Sequence, residues 1–197
     1  MVLYPGVQVR ARREIDAVIG TDRLPEFEDR KKLPYLECIL QEVFRWNHAA
    51  PAGLPHRVSE DDVYRGMFIP KNATVIANTR AMTLDESVYK DATKFDPSRF
   101  LPAPEGRNEP TTTALYGFGR RKCPGRFLAD ETLWIAIATI LATVSISPAI
   151  GKDGKEIIPD TTVVTSGITT HPKPFTCRIE PRSLEASKVL AQYIVSV

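Results

Sequence analysis

The sequence predicts a mainly α chain with small antiparallel β hairpins. Three observations predict it. Segments 4–19, 34–46 and 126–145 have the periodicity or length of helices. Short β-branched and aromatic runs flank turn residues at 63–79 and in the tail. Sixteen prolines and 11 glycines punctuate the rest.

The elements follow in order. In 4–19, Val7, Ala11, Ile15 and Val18 share a face, and Gly20 is a natural stop. That helix begins almost at Met1. Residues 34–46, PYLECILQEVFRW, place Pro34 at the first helical position and stripe Leu36, Ile39, Leu40 and Val43 along one side. Residues 47–57 carry two prolines and a glycine and read as loop or extended chain. Strands at 63–69 and 73–79 are expected around Pro-Lys-Asn, and a short helix at 85–90. Segment 92–112 reads as an ordered meander. Residues 126–145 are apolar nearly all round, which predicts a buried helix. TVVTSGITT and FTCRIEP in the tail read as two further strands. Residues 1–197 are read as one domain, with no internal repeat.

Composition narrows the function classes. The net charge of +2 gives no argument for nucleic acid, and none is expected as a partner. Cys38, Cys123 and Cys177 form no disulfide framework, which fits a reducing compartment or a cytosol-facing domain. No signal-like stretch opens the chain, and the most apolar run, 133–144, is about half of a bilayer span.

The chemistry concentrates at 117–127, GFGRRKCPGRF. Gly119, Arg121, Cys123 and Gly125 stand in a G-x-R-x-C-x-G frame. With Gly at about 7% of residues, such a match arises by chance in roughly one chain per thousand of this length. Glycines let a backbone approach a flat cofactor closely. Arg121 can pair with an anion. The helix that follows points its positive end at the sulfur, which suits a thiolate, and a thiolate is a nucleophile or a metal ligand. An isolated cysteine here would read as structural; this frame favours a ligand. Glu42 and Arg45 are neighbours on a helix and alone would be a surface ion pair. Arg99, in FDPSRF, offers a third partner. His56 and Arg57, in LPHR, read as solvated without further support. His48 and His171 have no metal-ligand spacing, and zinc is not expected.

Together these residues resemble the C-terminal part of a cytochrome P450, a haem-thiolate monooxygenase, of the fungal microsomal type. The cysteine frame is similar to that family's F-x-x-G-x-R-x-C-x-G signature, with Tyr116 in place of the first Phe. EVFR at 42–45 matches its E-x-x-R helix and PSRF at 97–100 its P-x-R-F motif, in the family's order. The resemblance covers nearly the whole chain. It implies the C-terminal, incomplete portion of the P450 fold. It implies haem b held through the Cys123 thiolate, with Tyr116, Gly119 and Gly125 in the binding loop. Arg121 and Arg57 would hold haem propionates, with His56 a weaker candidate. Glu42, Arg45 and Arg99 would form a buried structural triad. Ala49, Ala50, Ala52, Gly53, Leu54, Ser166, Gly167, Ile168 and Thr169 would line the substrate pocket. O2, a small apolar substrate and an NADPH-cytochrome reductase would be the partners, with NADPH acting only through the reductase. The basic run Arg120–Lys122 with Arg126 would receive that reductase. The family's full-length members sit on the cytosolic face of the endoplasmic reticulum membrane.

The resemblance also implies what these residues do not carry. No A-G-x-x-T-like motif of the oxygen-activating distal helix occurs, so no catalytic residue is assigned. The expectation is a shortened monooxygenase without activity of its own. A non-catalytic haem-binding module and a cofactor-free remnant stay open beside it.

Overall fold

A computed structural model describes residues 1–194. Three helices make the core. Helix α1 (Pro5–Val18) buries Gln8, Ala11 and Ile15, spaced by three and four. Helix α2 (Pro34–Trp46) buries most of its surface, including Leu36, Ile39, Leu40 and Phe44. Helix α4 (Arg126–Thr143) contributes Trp134, Ala138 and Leu141, again on one stripe. The apolar ones among these side chains form one hydrophobic cluster.

Polar side chains fix how the helices meet. The two carboxylate oxygens of Glu14 accept from the Tyr35 and Leu36 amides at 2.8 and 2.9 Å. A carboxylate of α1 thereby caps the first turn of α2, where backbone N–H groups have no helical acceptor. Gln8 exchanges two hydrogen bonds with the Ile146 backbone, at 3.0 and 2.9 Å.

Nine short strands surround the core among the described residues, all paired antiparallel. Strand β1 (His56–Arg57) pairs with β4 (Thr74–Val75). Strands β2 (Asp62–Tyr64) and β3 (Met67–Ile69) form a hairpin. Strand β5 (Val144–Ile150) lies between β6 (Glu156–Ile157) and β9 (Cys177–Pro181). Strands β7 (Val163–Ser166) and β8 (Thr169–Pro172) form a second hairpin turning at Gly167–Ile168.

Several expectations need correction. The hairpin turn falls at Arg65–Gly66 rather than at Pro-Lys-Asn. Arg65 and Gly66 have φ of 51° and 79°, the conformation that a two-residue turn between strands demands. The run 73–79 divides between β4 and α3 (Thr79–Thr83), whose first turn is capped by the Asn78 side chain at Ala81. Residues 85–90 are turns rather than a helix. The tail reading takes TVVTSGITT as one strand, where the chain folds into β7, a turn and the start of β8, and it misses α5 (Leu184–Ile194) altogether. Helix α4 stops at Thr143, whose hydroxyl bonds back to Thr139 O at 2.7 Å. Nor is α4 buried all round: Phe127 is 68% exposed and Leu128 75%.

Candidate functional site

The structure brings Glu42, Arg45 and Arg99 together, and all three are fully buried. Arg45 Nε and Nη2 donate to the two oxygens of Glu42 at 2.7 and 2.8 Å. Arg99 Nε lies 3.2 Å from the same carboxylate. Each guanidinium then ties down meander backbone. Arg45 donates to the carbonyls of Thr83 and Ala92 at 2.8 and 2.7 Å. Arg99 donates to those of Lys90 and Lys94 at 2.9 and 3.0 Å. Two arginines on one carboxylate would leave a buried positive charge. Glu109, which the sequence reading did not find, supplies the second acid at 2.6 Å from Arg99 Nη1. Arg107 pairs with Glu109 as well, at 2.6 Å. Burial pushes the Glu109 carboxyl up, but the hydrogen bonds from Arg99, Arg107 and the Lys90 amide outweigh it and hold it below its ordinary value.

This anchored meander leads into the cysteine loop. Tyr116 packs edge-on against Phe44 of α2, ring centroids 5.7 Å apart. Its hydroxyl is buried and has no hydrogen-bond partner among the described residues. Burial raises its pKa, as do the charges of Asp130 and Cys123. The loop closes where the Cys123 amide donates to Tyr116 O at 2.8 Å. Gly117 and Gly119 lie inside it with φ of 79° and 59°, values that side chains rarely adopt. Cys123 is exposed. Its carbonyl accepts from Arg126 Nη1 at 3.0 Å as α4 begins. A Cβ added at Gly125 would stand 3.9 Å from Cys123 Sγ, and one added at Gly119 would meet nothing within 4 Å. Gly125 thus lies in van der Waals reach of the exposed sulfur, and Gly119 supplies the positive φ that the loop needs.

The cations expected around that sulfur are exposed. Arg121 and Arg57 have no side-chain hydrogen bond or ion pair among the described residues. Arg57 lies in β1 directly after His56, and both are exposed. Cys123, an exposed soft ligand with Gly119, Arg121 and Gly125 in the same loop, fits the donor set of a haem held through sulfur, with a propionate on the guanidinium group.

The two segments read as substrate-lining are neighbours. The Thr170 amide donates to Ala49 O at 2.7 Å, and this bond holds the 49–54 loop against the β7–β8 hairpin. His48 fastens the same loop from beneath. Its Nε2 lies 2.8 Å from Thr79 Oγ1, whose hydroxyl faces the carbonyls of Ala50 and Pro51. Leu54 and Ile168 are exposed. An apolar groove of about 600 Å³ opens elsewhere, between Tyr4, Val43, Trp46, Ile137, Ile140 and Phe175. Among the described residues, none of those expected in the pocket lines it, and the Ser166 side chain lies outside the described ones.

Comparison with known proteins shows the family. The family described as Cytochrome P450 matches residues 1–178. The chain is 48% identical over 191 residues to Cytochrome P450 monooxygenase claR of Ampulloclitocybe clavipes, covering 96% of this chain and 35% of that protein. It is 44% identical over 194 residues to Tryptamine 4-monooxygenase of Psilocybe cyanescens, covering 95% and 38%. A zebra fish cytochrome P450, solved with abiraterone, superposes with a TM-score of 0.77 at 28% identity, over 92% of this chain and 41% of that one. The chain therefore spans little more than a third of the length of these two fungal relatives. The match runs from Met1 through the buried charge cluster and the cysteine loop into β9, and on that ground the chain belongs to the cytochrome P450 family.

Proposed function

We propose that this chain is the haem-thiolate portion of a monooxygenase that oxidises a small, apolar organic substrate with O2. The electrons would come from NADPH through a reductase at the cytosolic face of the endoplasmic reticulum. The observation that carries the reading is the exposed Cys123 sulfur beside Gly125, in the loop that leads into α4.

Each residue then has a defined task. Cys123 holds haem b through its thiolate, favoured by the positive end of α4. Arg121 and Arg57 hold the propionates. Glu42, Arg45, Arg99 and Glu109 fix the meander that delivers the loop. Ala49–Leu54 and the 166–169 turn face substrate. Bound haem with a thiolate ligand supplies O–O bond cleavage. Arg120, Arg121, Lys122 and Arg126 present a basic surface to an acidic reductase.

No residue of this chain is assigned the delivery of protons to oxygen, and the chain by itself is proposed not to turn over substrate. The test is reconstitution with haemin, NADPH and an NADPH-dependent reductase under carbon monoxide. Reduction of the haem that weakens with rising salt supports the electron route. No reduction contradicts it. In a parallel run in air, without carbon monoxide and with an apolar substrate added, oxidised product contradicts the proposed inactivity.

A further inference from the structure

We propose that Arg30 is a positioning residue for the Cys123 loop, acting as a clamp between α2 and the first turns of α4. That loop position matters for haem rests on the preceding reading; the clamp itself does not. Arg30 lies in a 3-10 turn, Phe27–Lys32, and a polar run hides it in the sequence. Its side chain is only 19% exposed and meets three carboxylates. Nε and Nη2 fork onto Glu37 of α2 at 2.9 and 3.1 Å. Nη1 reaches Asp130 at 2.5 Å and Glu131 at 3.2 Å, both on α4. The guanidinium also lies 5.8 Å from the ring centre of Trp134, the fully buried anchor of α4.

Asp130 lies seven residues after Cys123 and carries its charge close enough to raise the pKa of Tyr116, at the base of the loop. The loop is therefore held to α2 on both sides of the cysteine: by Tyr116 on Phe44 before it, and by Arg30 on Asp130 after it. A bidentate, partly buried arginine shared among acids is the arrangement in which an ion pair has structural weight. Without Arg30, three carboxylates face one another across the α2–α4 joint, and like charges at that distance push the helix start away.

The test is hydrogen exchange on the chain without haem, comparing the parent with Arg30→Gln, Arg30→Lys and Asp130→Asn. The clamp predicts about tenfold faster exchange for amides 116–129 in R30Q, a smaller rise in R30K and D130N, and change under twofold in β5 and β9. Partial reversal is expected in R30Q combined with D130N and E131Q, since the repelling charges are gone. Unchanged exchange at 116–129, or an equal rise throughout the chain, overturns the proposal. If R30Q does not fold, R30K and D130N decide by the same criterion. A parallel haemin titration separates the two readings. Failure of the parent to give a thiolate-type spectrum counts against the haem reading alone. Where the parent does give that spectrum, a local exchange effect without a smaller thiolate fraction in R30Q overturns the positioning role.

Discussion

Arg99 Nη1 and Glu109 Oε2 meet at 2.6 Å, at the far end of a charge chain that starts with Glu42. The pair gives the buried cluster two carboxylates for two guanidinium groups, so no charge inside it lacks an opposite partner. Glu42 is the hub. Besides both arginines, it accepts from the Asp96 amide at 2.8 Å, where the P-x-R-F turn begins.

Removing the hub and removing the end partner therefore have different costs. Glu42→Gln leaves Arg45 and Arg99 facing a neutral group in full burial, at about 3–5 kcal/mol. Glu109→Gln retains one hydrogen bond to Arg99 at a partly open site, and the expected loss is about 1–3 kcal/mol. Urea unfolding of the two variants checks the order. Equal losses would contradict the hub role of Glu42.

Glu14 predicts a smaller, local effect. Its carboxylate takes the Tyr35 and Leu36 amides of α2. Glu14→Ala is expected to cost about 1–2 kcal/mol, the scale of a lost N-terminal cap. Glu14→Gln should recover part of it. Exchange at amides 35 and 36 should accelerate first.

His48 predicts a pH dependence. Burial lowers its pKa, and the Arg80 charge lowers it further. The single hydrogen of Thr79 Oγ1 goes to a carbonyl, so Nε2 of His48 carries the proton and donates to that oxygen. Nδ1 is then buried, bare and without a partner among the described residues. The unfolded chain binds a proton at His48 near pH 6.5, while the folded chain resists it. Stability is thus fully present above that pH and falls as the pH drops toward the folded value. The urea midpoint should fall between pH 7 and 5.5 in the parent, and less steeply in His48→Gln. Parallel slopes would contradict this account.

The main helices and the cluster Glu42, Arg45 and Arg99 were legible in the sequence because their signals are local: a stripe, a spacing of three, a motif in order. Glu109 was not legible, because it sits in a meander without periodicity and meets Arg99 only through the folded chain. The β2–β3 turn was misplaced because two turn signals compete within eight residues. Asn72 also adopts a positive φ, of 70°, but the register Tyr64↔Met67 selects Arg65–Gly66. Strand β5 was hidden because Val144 continues an apolar run, and only the break at Thr143 separates helix from strand. Apolar content alone misjudged α4, since composition does not say which side a neighbour covers.

The most direct measurement is a spectrum. The chain is loaded with haemin, reduced with dithionite and exposed to carbon monoxide, with Cys123→Ser beside it. A red-shifted, thiolate-type Soret band that is present in the parent and absent from the variant is predicted. No such band, or the same band in both proteins, would contradict the claim that these residues build a haem-thiolate site.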